Sequence, residues 1–99
     1  MKQVQFLQWT CNVSLLQYPN GRTAIQLYAE DGEPVATATV NVPSYPLGED
    51  KVLIKDYAEN EGILASLSTA GIAEPTGKTI PVGHIQTHVC RLLETKAMH

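Results

Sequence analysis

Several things are scarce in this chain, and each scarcity removes a class of protein. Two cysteines in 99 residues, Cys11 and Cys90, are too few for the disulfide framework of a small secreted domain. A bridge between them would close a long loop, worth ~4–5 kcal/mol by chain entropy. With no export signal, both read instead as reduced thiols that pack as small apolar residues. Met1-Lys2-Gln3-Val4-Gln5 alternates polar with apolar and lacks the unbroken apolar stretch of a signal peptide. No apolar run approaches the ~18–20 residues that a membrane-spanning helix needs. A cytoplasmic protein with no membrane segment is expected. Charged residues are few at 17%, which argues against a disordered chain or a charged tail. Seven Lys and Arg against ten Asp and Glu leave a net charge of −3. That balance is too acidic in bulk for a phosphate binder and too mild for nucleic-acid mimicry.

What is present suffices for one core. A hydrophobic share of 43% is ordinary for a globular chain, and 99 residues accommodate a single domain. Tyr18-Pro19-Asn20-Gly21-Arg22 marks a tight hairpin, because Asn-Gly tolerates positive φ and strand-like runs flank it. Upstream, Leu7, Trp9, Cys11, Val13 and Leu15 share the parity of a half-buried strand. The parity switches at Val4 and Phe6 and again at Leu16 and Tyr18, which predicts a bulge or bend at each end. Thr23–Ala29 follows, then Asp31-Gly32 as a second hairpin turn and a strand over residues 35–42. In that last strand Ala36 and Ala38 fall on an inner face beneath something bulky, such as a helix, and Thr37 and Thr39 on the exposed face. The three strands form a meander.

Residues 43–50 are turn-rich and read as a loop, and residues 51–55 as a short strand with Val52 and Ile54 on one side. Asp56-Tyr57-Ala58-Glu59 resembles a capping box that opens a helix over about 57–70. Gly71 is placed as its C′ glycine, with Ile72 making the Schellman contact, and Gly62 inside it implies close packing on the sheet. Glu74 to Lys78 reads as a turn, residues 79–82 as a brief strand, and 85–93 as a closing strand. Apolar residues on both sides of that strand allow it a central position. From Glu94 onward a frayed end is expected. Together these segments predict an α+β fold: one small domain over residues 1–99, with a curved antiparallel sheet of five to six strands, starting as a meander, packed by one α-helix.

Few constellations suggest chemistry. His84, His88 and Cys90 share strand parity, and Cys11 could join them if the first and last strands paired. Zinc takes such ligands, but its sites normally show tight pairs at both ends of a loop. A half-exposed His88 and a core Cys90 are the simpler account, so the three are weak metal candidates and no cofactor is predicted. Cys90 and His88 at i, i+2 are also poorly placed as nucleophile and base. Thr76-Gly77-Lys78-Thr79 ends like a phosphate-binding loop, but Ile72 stands where the earlier glycine belongs and Pro81 where a helix should start. Acids gather at a hairpin tip (Glu30, Asp31, Glu33) and around the helix start (Glu49, Asp50, Asp56, Glu59, Glu61). Solvated turns and capping explain most of them, and an acidic partner-binding face is the functional alternative. Tyr45, flanked by prolines, is a further contact anchor. The aromatics are not interleaved with basic residues, which argues against nucleic-acid binding.

Two sets of short segments resemble a known family. The first is Asn20 to Leu27 with Glu33-Pro34-Val35-Ala36-Thr37 and Thr39-Val40-Asn41. The second is Ile54 to Ile63 with Ala70-Gly71-Ile72, Pro75-Thr76-Gly77-Lys78 and Ile80-Pro81-Val82-Gly83. The family comprises small proteins encoded on bacterial plasmids, conjugative elements and phages that carry a domain of unknown function, and the similarity spans residues 13–93. It implies genomic context and no catalytic residues. A non-enzymatic accessory protein that binds a host protein is the resulting expectation, of the anti-restriction or anti-CRISPR kind. A nucleic-acid-binding or small metal-binding module is the alternative. Tyr45, Glu49, Asp50, Asp56, Glu59 and Glu61 are the expected partner-binding residues. A homodimer is also expected, since an open meander leaves edge strands to pair.

Overall fold

The computed structural model describes residues 3–93, the side chain of Glu59 excepted. The strands divide between two four-stranded antiparallel sheets rather than forming one sheet of five to six. In the first, β1 (Gln3–Phe6), β2 (Trp9–Gln17), β3 (Thr23–Ala29) and β4 (Pro34–Thr37) run as a meander in chain order. The second contains β5 (Thr39–Val40), β6 (Lys51–Ile54), β7 (Ala73–Val82) and β8 (Ile85–Leu92), in the order β5-β6-β8-β7. One helix, α1 (Ile63–Thr69), lies against β7 and β1.

Both tight turns read from the sequence are present. Gly21 and Gly32 have φ of 86° and 92°, the left-handed backbone that a β-carbon disfavours. Each turn is closed by backbone hydrogen bonds, Gly21 N–H to Tyr18 and Gly32 N–H to Ala29. The parity switch near the N-terminus is neither bulge nor bend. It is a third hairpin, in which Leu7 and Gln8 alone join Phe6 to its partner Trp9. Leu7 adopts φ 56° there without the Gly or Asn that normally signals such a turn. At the other end no bulge is needed; Leu16 pairs with Ala24 in register and is exposed.

The strand predicted over 35–42 breaks at Ala38, where the chain leaves one sheet for the other. The Ala38 N–H donates to the Ile25 carbonyl in β3 (2.9 Å), and its own carbonyl accepts from Lys55 (3.0 Å). Thr39, expected on an exposed face, is buried, and its hydroxyl accepts the Ile25 N–H at 3.2 Å. Ala38 enters the central core, with Ala36 packed against it, where both sheets and the helix meet through Phe6, Ile25, Leu27, Ile54, Ile63 and Leu67, among others. Full burial of a Leu, Ile or Phe contributes ~1.5–3 kcal/mol each, so this shared cluster is what holds the sheets together.

The second sheet is buried on both faces at β6, because Leu53 points away from Val52 and Ile54 into a smaller cluster with Ile80 and Val89. The predicted loop over 43–50 folds over that outer cluster through Tyr45 and Leu47. β8 lies between β6 and β7, the central position its two apolar faces allow. The turn expected from Glu74 to Lys78 is instead a bulge inside β7: Pro75 and Lys78 pair with the adjacent Cys90 and Val89, leaving Thr76 and Gly77 extra.

The helix is shorter than its predicted 57–70 span. A 3-10 turn at Ala58–Asn60 precedes it, and Gly62 is its N-cap with φ 93°. A β-carbon at Gly62 would meet nothing within 4 Å, so the backbone angle, not close packing, calls for glycine there. Asp56 caps as expected but farther along the chain, its carboxylate accepting from the N–H groups of Gly62 (3.1 Å) and Leu64 (2.8 Å). The Schellman ending is as anticipated. Gly71 has φ 74°, its N–H donates to Ser68, and the Ile72 N–H donates to Leu67. The frayed end expected from Glu94 lies outside the described residues. Replacing Asp56 with Ala orphans two helix-start donors and should cost about 1–2 kcal/mol, read as a lowered urea midpoint with an unchanged slope.

Candidate functional site

The residues expected to carry function are dispersed. His84 sits in the two-residue turn between β7 and β8, not on the strand with His88 and Cys90. Cys90 is fully buried, with its thiol facing the His88 carbonyl at 3.6 Å, and Cys11 is buried in the other sheet. β2 and β8 do not pair, and both thiols are free. No three His, Cys, Asp or Glu among the described residues come together to hold a metal ion. Burial pushes the Cys11 thiol up from its ordinary value and the Cys90 thiol up to about 11. Neither is poised as a nucleophile, because the thiolate is the reactive form.

The predicted partner-binding set is divided as well. β6 separates Glu49 and Asp50, at one end, from Asp56 and Glu61 at the other. Asp56 is committed to the helix start. Asp50 is exposed and bonds the Lys51 ammonium at 3.0 Å, which holds its carboxyl below the usual range. Glu49 and Glu61 are exposed, and the Glu59 side chain lies outside the described residues. Tyr45, expected to be exposed, is half-buried against the outer cluster, with the Lys78 ammonium 5.7 Å from its ring centre.

A polar groove of about 600 Å³ runs beside the loop over 43–50, lined in part by Arg22, Glu49 and Lys51. Its cations are already engaged. The Arg22 guanidinium donates to the carbonyls of Val42 (2.6 Å), Pro43 (3.4 Å) and Tyr45, clamping the loop, while Lys51 holds Asp50. An anion has little to recruit there.

The surface that stands out is at the opposite end, where two hairpin tips lie side by side. Cys11 pairs with Ala29, so the Leu7-Gln8 turn and the Glu30 to Glu33 turn project from the same edge of the first sheet. Leu7 is 69% exposed and Trp9 44%. Two shallow clefts flank the indole, of about 300 Å³ and 320 Å³, sharing Trp9, Ala29 and Asp31. Glu33, Pro34 and Val35 complete one, and Gln8, Thr10 and Glu30 the other. Leucine in a left-handed turn position conflicts with local backbone preference, and it points a large apolar group into water. Such local conflicts concentrate at functional sites. Sequence reasoning placed Trp9 on the buried parity and the three acids in a solvated tip; the register that brings them together was the missing information.

Comparison with known proteins finds no matching protein family, no similar curated protein and no similar solved structure. No helix among the described residues is long and apolar enough to cross a membrane.

The thiols make one checkable expectation. In the unfolded chain Cys90 ionises near 9, and in the folded protein only near 11. Its raised pKa therefore favours folding fully below pH 9, and that contribution is lost as pH climbs to about 11. Urea midpoints should fall across that window, and Cys90→Ala should flatten this part of the profile. Alkylation of both thiols at pH 8 should be slow in native protein and fast in urea.

Proposed function

We propose that this chain is a small, non-enzymatic accessory protein of a mobile genetic element, acting in the cytoplasm by binding a host protein in the manner of an anti-defence inhibitor. The observation that carries the reading is the tip of the first sheet, where Leu7 and Trp9 are exposed together beside Glu30, Asp31 and Glu33. Interface centres are rich in Trp and in desolvated apolar contacts, and a rigid hairpin presents them at low entropic cost. The mobile-element context comes from the segments that resemble plasmid, conjugative-element and phage proteins, among them Asn20 to Leu27 and Ile54 to Ile63.

The test is capture from a bacterial host with immobilised wild type and with the double variant Leu7→Ser, Trp9→Ser. A host protein retained by the wild type, and rebound after purification, should be lost from the variant. No retained protein, or equal retention by both, would sink the reading.

Self-association is favoured by a separate feature. β4 and β7 carry prolines at the sheet edges, β7 is also bulged, and β5 spans only two residues. β1, by contrast, offers the uncharged edge Gln3-Val4-Gln5-Phe6 beside a groove of about 450 Å³ that reaches α1. Edges without charge, proline or bulge pair readily with a second chain. Phe6 and Trp9 close a two-residue hairpin, so Gln5 turns its N–H away from β2 toward the open edge. Sedimentation at high concentration should show a dimer that Gln5→Pro abolishes without unfolding the monomer; a wild type that stays monomeric contradicts it.

A further inference from the structure

The tip of the first sheet has a chemistry specific enough to describe its occupant, provided that it is a protein-binding surface as proposed above. One cleft joins Trp9 to the apolar Ala29, Pro34 and Val35 with the acids Asp31 and Glu33, and the other joins it to Ala29, Gln8 and Thr10 with Glu30 and Asp31. No Lys or Arg lines either cleft. Four of the five Lys and Arg side chains among the described residues are engaged elsewhere, Arg22 on loop carbonyls, Lys51 on Asp50, Lys78 on the Tyr45 ring and Arg91 on Glu74, and the fifth, Lys55, lines neither cleft. Three acidic residues within four positions therefore line the clefts beside Trp9, Asp31 in both, with no cation of their own chain in either cleft. Like charges that close repel one another, and a bound cation relieves the repulsion.

The sign of the charge and the aromatic face select the same ligand. A cation within about 6 Å of an indole face is attracted by the ring quadrupole, and tryptophan is the best of the aromatics at this. A guanidinium is planar, weakly hydrated and shaped to pair with a carboxylate through two parallel hydrogen bonds, so it can stack on the ring and reach the rim together. A lysine ammonium can satisfy only part of that arrangement. Nucleic acid is disfavoured at the same place, because its phosphates would meet Glu30, Asp31 and Glu33 head on. Clefts near 300 Å³ match a single side chain rather than a folded element, and exposed Leu7 beside them offers contact to an apolar neighbour of that side chain.

We infer that the tip formed by Leu7, Trp9, Asp31 and Glu33 takes an arginine-bearing, basic segment of a partner protein, with the guanidinium over the Trp9 indole and paired to the rim carboxylates. The partner's apolar residue next to that arginine covers Leu7. Binding of this kind weakens as salt rises, since the rim is solvent-exposed.

Trp9 is the sole tryptophan in the chain, so its emission reports on this site alone. The probe is a terminally blocked peptide of alternating Arg and Leu, compared with peptides carrying Gln or Glu in place of Arg. The Arg peptide should shift the emission saturably, the Gln peptide should bind roughly tenfold more weakly, as expected on losing a cation–π contact with its charge pair, and the Glu peptide should not bind. The triple variant Glu30→Gln, Asp31→Asn, Glu33→Gln should fold normally, since Asn can still accept the Glu33 N–H as Asp31 does at 3.1 Å. It should lose the preference for Arg over Gln. Equal binding of the Arg and Gln peptides, or an Arg preference that survives in the triple variant, overturns the inference. A captured host protein that is lost on changing Leu7 and Trp9 but kept by the triple variant also rejects the basic occupant, while leaving the host-protein reading intact. Capture indifferent to both variants removes the reading itself.

Discussion

The crossing at Ala38 and Thr39 is the constraint on which the rest of the structure depends. A chain that leaves one sheet for another in mid-strand exposes backbone donors and acceptors inside the core, where an unmade hydrogen bond costs ~1–3 kcal/mol. Here each is met. Ile25 keeps both of its backbone partners, its carbonyl taking the Ala38 N–H and its N–H finding the Thr39 hydroxyl in place of a ladder carbonyl. The Tyr18 hydroxyl bonds the same Thr39 oxygen at 2.9 Å, and the buried Asn60 amide donates to the carbonyls of Thr37 (2.9 Å) and Lys55 (3.3 Å). No buried side-chain polar atom among the described residues is left without a partner. A methyl group is what fits at Ala38, which is wholly enclosed between the sheets.

With the crossing in place, the remaining arrangement follows from burial. The first sheet needs one covered face and the second needs two at β6, so the central cluster fills the space between them and the loop over 43–50 closes the outer side. That loop has little secondary structure of its own. It is held by Arg22, which reaches from the first hairpin loop to its carbonyls, so a turn of one sheet fastens the cover of the other. Two of the acids expected around the helix start are absorbed in the same way: Asp56 is consumed by backbone donors, and Asp50 by Lys51. Besides Leu16 and Tyr57, what the packing leaves over is at the far tip, where neither Leu7 nor Trp9 finds full cover.

Local chemistry was readable where it is self-sufficient. Asn20-Gly21 and Asp31-Gly32 make their turns because glycine alone tolerates φ near 90° at no cost, whatever lies nearby. Ala70-Gly71-Ile72 ends its helix for the same reason, and the two apolar faces of residues 85–93 allowed the central position that the strand takes. Where geometry depended on distant groups, reading failed. Thr39 looked like an exposed strand threonine because its partner, Ile25, is fourteen residues away. The Leu7-Gln8 turn carries no turn residue, and Thr76-Gly77 carries turn residues yet forms a bulge because Thr79 to Val82 keep pairing with β8. Tyr45 read as an exposed anchor since its burial comes from Ile80 and Val89, far along the chain.

The amino-acid sequence by itself determined that this chain builds antiparallel strands with glycine turns at 21 and 32 and one capped helix closed at Gly71. Those features depend on backbone angles and on period-2 alternation, which neighbouring residues set among themselves. Only the tertiary structure decided that the strands part into two sheets at Ala38, and which acids stay exposed. It alone brought Trp9, Asp31 and Glu33 to one cleft. Strand register brings residues about twenty positions apart to one edge, and register is fixed by side-chain packing across the whole sheet rather than by any local signal.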